Sequence, residues 1–220
     1  MGSTQETAND FSAWTGTTGT PAVTQDVAHH GADVFDYTPN IFTIEDSYYN
    51  WAGGNTFYAG AYFRFPNLNE PTGGTTNFAI LLLGKSGGNL FAEVRPKTDR
   101  WTLVYRTNAG QFTSDWMSAP ALDTWYWVEI KVVRNAGAGE ARLYIDGTER
   151  VTQTNLTNDT VGATIDEYRV GSVDFCINVA TQVVYADCAV LADSGPIGVE
   201  GAGGVSIPVI MAHRRSQGMS

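Results

Sequence analysis

The segment at 123–134, DTWYWVEIKVVR, decides the fold of this chain, together with the segment EARLYIDGT at 140–148. Large apolar residues of the first segment interleave with charged ones at close to period two, which is typical of a half-buried antiparallel strand. The sequence NAGAG at 135–139 can supply positive φ for a connection of about five residues. In the second segment Ala141, Leu143 and Ile145 alternate with polar residues, so a second strand returns. A third short strand is predicted at 148–152, and the resulting meander predicts a sheet core on which further strands pack.

The same stretch, TWYWVEIKVVRNAGAGEARLYIDGTERV, resembles the concanavalin A-like (laminin G-like) jelly-roll superfamily. There, a W-x-x-V-E-x-x-V strand leads through a turn into G-x-x-x-L-Y-V-D-G. Three other stretches fit the same pattern, namely DFSAWTGT at 10–17, IDEYRVG at 165–171 and VYADCAVLAD at 184–193. The resemblance implies an all-β, antiparallel β-sandwich jelly roll. It implies little about function, because this fold hosts lectins, glycosidases, lyases, adhesion modules and virion proteins.

Strand patterns elsewhere agree with a sandwich. They are predicted at 57–65, 78–83, 90–95, 101–106, 112–117, 165–170 and 183–192, with a loop at 46–55. Along 57–65 the residues Phe57, Ala59, Ala61, Phe63 and Phe65 share one face, and Tyr58, Gly60, Tyr62 and Arg64 share the other.

Composition limits the possible partners. The chain has 220 residues, 43% of them hydrophobic and 16% charged, which is enough apolar material for the core of one domain. A net charge of −10 argues against nucleic acid and anionic lipid as partners. No apolar run approaches the ~18 residues of a transmembrane helix. The sequence MGSTQET at the start has neither a basic region nor an apolar core, so no signal peptide is predicted.

The ends of the chain differ from the predicted domain. We expect an arm at 1–8, a jelly-roll domain at 9–194, and a glycine- and proline-rich linker with a docking tail at 195–220. Left exposed, the apolar tail would be prone to edge pairing. It either packs on its own sandwich or docks on a neighbouring subunit, and we favour the second because the linker is longer than an intramolecular return requires. The predicted docking residues are Val205, Ile207, Val209, Ile210, Met211, Arg214 and Arg215.

Such tails are similar to those of phage structural proteins with this fold. The resemblance therefore implies a structural protein of a virion, such as a capsid decoration or tail component, that assembles through its ends with itself or with other structural subunits. A virion or an extracellular surface is the expected location.

The sequence lacks the catalytic motifs of the glycosidases and lyases in this superfamily. The E-x-D-x-x-E strand of glycosidases in this superfamily is absent, and adjacent carboxylates such as Asp166 and Glu167 point to opposite faces of a strand. The alginate-lyase set of R-T-E-x-R and Q-x-H is also absent. None of the three histidines, His29, His30 and His213, belongs to a metal-binding pattern. The sequence therefore predicts that the protein is not an enzyme.

Calcium is the cofactor that the resemblance implies, at the meeting point of the first and last strands. Asp10 and Asp187 are the matching positions, with the Gly31 carbonyl as a further ligand. The alternative is that both are ordinary strand carboxylates. Cys176 and Cys188 fall opposite each other if 175–179 and 183–190 form a hairpin, and either a disulfide or two free thiols fits that arrangement.

Exposed aromatic side chains beside polar ones are typical of sugar-binding sites. The best such cluster is Tyr48, Tyr49, Trp51 and Asn55 in the predicted 46–55 loop. The alternative is that these rings belong to the core. The cluster favours a second functional class, a carbohydrate-binding module or surface adhesin that contacts a cell-surface glycan.

Overall fold

The computed structural model describes residues 14–24, 34–38, 45–68, 78–173, 182–193 and 195–199. The described chain is all-β and contains no helix. Its strands are β1 (Gly16–Thr18), β2 (Ala22–Thr24), β3 (Val34–Tyr37), β4 (Glu45–Gly54), β5 (Thr56–Arg64), β6 (Leu81–Lys85), β7 (Asn89–Pro96), β8 (Trp101–Thr107), β9 (Gly110–Trp116), β10 (Trp125–Val133), β11 (Ala136–Ile145), β12 (Thr148–Thr157), β13 (Ile165–Ser172) and β14 (Val184–Ala192).

Two antiparallel sheets form the predicted sandwich. Sheet A has the order β1-β4-β13-β6-β7-β8-β9, and sheet B has the order β12-β11-β10-β5-β14-β3-β2. Each has seven strands. The predicted meander is confirmed as β10, β11 and β12, and it forms one end of sheet B. No helix in the described residues is long and apolar enough to cross a bilayer.

The core lies between the sheets, where alternate residues of each strand meet. Phe57, Ala59, Ala61 and Phe63 of β5 face it, as predicted, opposite Leu81 and Leu83 of β6, Val94 of β7 and Leu103 of β8. In β10 the core-facing residues are Val128, Ile130 and Val132. Trp125 and Trp127 therefore share the outer face of sheet B with Glu129 and Lys131, instead of alternating with them. This arrangement is possible because a second apolar cluster, described below, covers that outer face.

Two predicted boundaries were wrong. The stretch 46–55 is not a loop, because strand β4 occupies Glu45–Gly54 between β1 and β13. The third strand of the meander does not stop near residue 152 but continues to Thr157. In both cases polar residues on an outer sheet face mimic the composition of a loop.

Candidate functional site

The outer face of sheet A carries a row of side chains that crosses most of the sheet. Register places Tyr48 beside Arg169, Arg169 beside Leu82, Leu82 beside Glu93 and Glu93 beside Val104, in strands β4, β13, β6, β7 and β8. Thr113 of β9 pairs with Val104 and ends the row. At a strand spacing of about 4.8 Å, these five steps span about 24 Å. Thr113 is exposed and Tyr48, Leu82 and Arg169 are half-buried, whereas Glu93 and Val104 are buried.

Charged side chains in this row and beside it are buried, although they lie on an outer sheet face. Asp46 is 0% exposed, Glu93 3% and Glu167 5%. Since burying a charge is costly without compensation, each needs a partner. Arg169 supplies two of these contacts: its Nη1 donates to Asp46 Oδ2 at 2.9 Å and its Nε donates to Glu167 Oε1 at 2.8 Å.

A second ion pair lies two strands away. Arg95 donates from Nε to Glu93 Oε1 along strand β7. The neighbouring Thr102 is also buried, and its hydroxyl donates to Asp115 Oδ1 at 2.6 Å. The two arginine–carboxylate pairs thus flank strand β6. We refer to Asp46, Tyr48, Glu93, Arg95, Glu167 and Arg169 as the sheet A polar cluster.

The Tyr48 ring lies at the edge of this cluster and reaches over Gly16. A Cβ atom at Gly16, its partner in β1, would come within 2.5 Å of the Tyr48 hydroxyl oxygen, so only glycine leaves room for the ring. On the other side the Arg169 guanidinium carbon lies 5.3 Å from the ring centroid. Tyr48 and Arg169 are both half-buried, which makes them the accessible part of the cluster.

Asp46 is the least satisfied member of the cluster. Its Oδ1 has no hydrogen-bond partner among the described residues. Burial raises the pKa of the Asp46 carboxyl, and the neighbouring Arg169 offsets this only in part. A buried carboxyl with an elevated pKa and an unused acceptor is typical of functional positions.

The predicted sugar-binding residues do not come together on one surface. Tyr48 points to the outer face, whereas Tyr49 and Trp51 stack at 6.2 Å and pack on the core, where Trp51 meets Phe57 at 4.8 Å. Asn55 lies at the end of the strand, and its Oδ1 accepts from Arg134 Nη1. Since successive residues of a strand face opposite ways, the change from loop to strand separates the four.

The other predicted sites stay predictions. Asp187 is fully buried in β14, but Asp10 and Gly31 lie outside the described residues. Within the described ranges no group of three or more His, Cys, Asp or Glu residues is placed to bind a metal ion. Cys176 and the tail residues 205–215 also lie outside these ranges.

Sequence reasoning missed most of the polar cluster. The available signal was the repeated pattern Glu-x-Arg, at Glu93 to Arg95 and at Glu167 to Arg169, within strands that were otherwise strongly apolar. Residues two apart on a strand share a face, so each pattern places a carboxylate beside a guanidinium.

No known family profile matches the chain, and no curated protein sequence matches it. Solved structures do match. An endo-β-1,4-glucuronan lyase from the fungus Trichoderma reesei is 14% identical with a TM-score of 0.62, over 86% of this chain and 94% of that one. Cellulose induced protein Cip1 is 13% identical with a TM-score of 0.60, over 83% of this chain and 88% of that one.

A structure of botulinum neurotoxin type C, whose cell entry depends on two ganglioside molecules, also matches. It is 8% identical with a TM-score of 0.55, over 81% of this chain and 42% of that one. At such identities the matches show the fold alone, and that fold is consistent with the concanavalin A-like jelly roll. None of these three structures is described as a virion protein.

These matches correct one prediction. The conclusion that the protein is not an enzyme was wrong, because a lyase shares this fold over nearly its whole length. The E-x-D-x-x-E motif lies along a single strand, whereas the sheet A polar cluster is assembled from three strands.

Proposed function

We propose that this protein binds a polysaccharide along the outer face of sheet A. The observation that carries the proposal is that Tyr48 and Arg169 lie side by side and half-buried at one end of the row, next to the buried carboxylates of the sheet A polar cluster. A flat aromatic ring stacks on a sugar face, while guanidinium and carboxylate groups bind hydroxyl groups. The extended shape of the row favours a chain of several sugar units over a single small molecule.

Two of the matching structures support a carbohydrate ligand by what they are described as: a glucuronan lyase, and a toxin whose cell entry depends on interaction with gangliosides, which carry sugars. Arg169, which is half-buried, would favour an acidic sugar if the carboxylate of the sugar replaces a protein carboxylate as its partner. We therefore expect polyuronates to bind more tightly than neutral glucans.

The test is affinity electrophoresis of the full chain in gels that contain neutral or uronate polysaccharides. Tyr48→Ala should abolish the retardation. Tyr144→Ala is the matched control, because Tyr144 is also a half-buried tyrosine but lies on the outer face of sheet B. Equal retardation of the two variants would contradict the proposal.

A second candidate function is cleavage of such a polysaccharide. It is favoured by Asp46, because a carboxyl whose pKa is raised by burial is better suited to proton transfer than an ordinary carboxyl. Eliminative cleavage would create unsaturated chain ends, which are detected by ultraviolet absorbance during incubation with polyglucuronate. An activity that survives in Asp46→Asn would rule out this role.

Assembly through the tail at 205–215 stays a prediction that complements either function. It is tested by light scattering of the full chain beside a version that ends at Glu200. A calcium requirement is tested separately, by thermal unfolding with and without a chelator.

A further inference from the structure

The outer face of sheet B carries a groove that is filled by the segment after the last strand. Tyr58 and Tyr62 of β5 and Trp127 of β10 form an aromatic floor, on which Ile197 is 7% exposed. Trp127 lies over Gly60, where a Cβ atom would come within 2.5 Å of its ring. Tyr62 meets Trp127 edge-on at 5.1 Å.

Glu129 anchors the backbone of this segment. It is 1% exposed, and its Oε1 accepts from the Ile197 N–H at 3.1 Å while its Oε2 accepts from the Gly198 N–H at 3.0 Å. The Trp127 indole N–H donates to the same Oε2 at 3.1 Å. Two consecutive backbone N–H groups on one carboxylate form the arrangement by which a peptide binds an anion, and the positive φ of 73° at Gly198 is compatible with it.

The segment crosses the sheet instead of extending it. Ile197 sits over β5 and β10, and Val199 reaches the β11–β12 turn, where its Cγ2 lies 3.1 Å from the position of a Cβ atom at Gly147. Pro196 precedes the anchored residues, and its ring fixes its own φ before docking, which lowers the entropic cost of binding. Apolar burial and hydrogen bonding are thus both directed at a short peptide segment.

We propose that this groove is a peptide-recognition site, and that it accepts residues 195–199 of a second copy of the chain when its own segment is displaced. Every groove contact described above comes from the strands of the sandwich or from the β11–β12 turn, so the same contacts are available to a segment from either copy. Without a segment, Glu129 would lose two of its three donors and the aromatic floor would be uncovered. Docking of the same segment from a second copy restores the two donors to Glu129 and covers the aromatic floor again, at little cost in free energy.

The test uses the full-length variant Ile197→Asp, whose groove is intact but whose own segment is impaired. The probe is a synthetic peptide with the sequence of residues 193–200, DSGPIGVE, followed by tryptophan fluorescence and calorimetry. We expect saturable one-to-one binding to Ile197→Asp, weakened about tenfold or more when Glu129→Gln is added, as for loss of a hydrogen bond to a charged group. The same peptide with aspartate in place of isoleucine is the matched control.

Absence of saturable binding to the folded Ile197→Asp variant would overturn the proposal. A second measurement does not depend on any variant being folded: amide hydrogen exchange of the native chain. The Ile197 and Gly198 amides should be protected, and exchange at the rate of an unstructured peptide would overturn the anchor itself.

Discussion

Replacement of Arg169 by methionine tests whether the sheet A polar cluster is held together by a buried charge. Methionine keeps much of the side-chain length and removes the guanidinium, which leaves Asp46 and Glu167 without their shared cation. Their side chains are 0% and 6% exposed, so water compensates little. Breaking a buried pair in this way costs about 3–5 kcal/mol, and we expect a loss of about 3 kcal/mol at neutral pH because Arg169 itself is partly exposed.

Arg142→Met is the matched control. Arg142 is 25% exposed against 24% for Arg169, and it also bridges two carboxylates, Glu140 and Glu149. These carboxylates are 22% and 37% exposed, so the expected loss is only about 0–1 kcal/mol. The two sites differ mainly in the burial of the acidic partners; in addition, Glu140 keeps Lys131 as a second cation, and Arg169 also contacts the Tyr48 ring.

The pH dependence gives a second check on the same variant. Burial already raises the pKa of Asp46, and removal of Arg169, which lowers it, raises it further. A carboxyl with a raised folded-state pKa destabilises the fold while ionised, and the penalty disappears as the pH falls below that pKa. The deficit of Arg169→Met should therefore shrink on acidification. Urea unfolding followed by tryptophan fluorescence measures both effects, and equal losses in the two arginine variants would refute the reasoning.

Three further predictions concern other positions. The Asn158 side chain accepts from the Asn135 N–H and donates to the Val133 carbonyl. Asn158→Ala removes both hydrogen bonds and should lower the free energy of unfolding in urea by about 2–4 kcal/mol, whereas Asn158→Asp keeps the acceptor and should lower it less. Gly60→Ala forces the Trp127 ring to move and should cost about 1–3 kcal/mol, so an unchanged unfolding midpoint would contradict the packing. The thermal stability of Asp46→Asn relative to the native protein should be highest near neutral pH and should fall in acid, because the native carboxyl has a raised pKa and destabilises the fold while it is ionised. A difference in thermal stability that does not depend on pH would contradict this.

The fold was largely predictable because local patterns and the sandwich agree. In β5 the alternation of Phe57, Ala59, Ala61 and Phe63 assigns the core face directly, and the structure confirms it. Strand β4 was missed because Asp46 and Asn50 give it the composition of a loop. In β10 the charged residues and tryptophans share one face, a pattern that makes sense only once the 195–199 segment is known to cover it.

The functional site was less predictable for a topological reason. Glu93 and Glu167 are far apart in sequence, and only the order β13-β6-β7 in sheet A brings their ion pairs to either side of one strand. Each Glu-x-Arg pattern is visible locally, but their juxtaposition is a long-range property. The same holds for Tyr48, whose position depends on its pairing with Gly16.

The most direct test of polysaccharide binding on sheet A is the change in amide hydrogen exchange of the full chain on addition of the polysaccharide that retards it most. The account predicts new protection in β4, β13, β7 and β8, with exchange in β10 and β11 unchanged. New protection confined to sheet B, or no new protection in either sheet, would contradict the assignment of the site to the sheet A polar cluster.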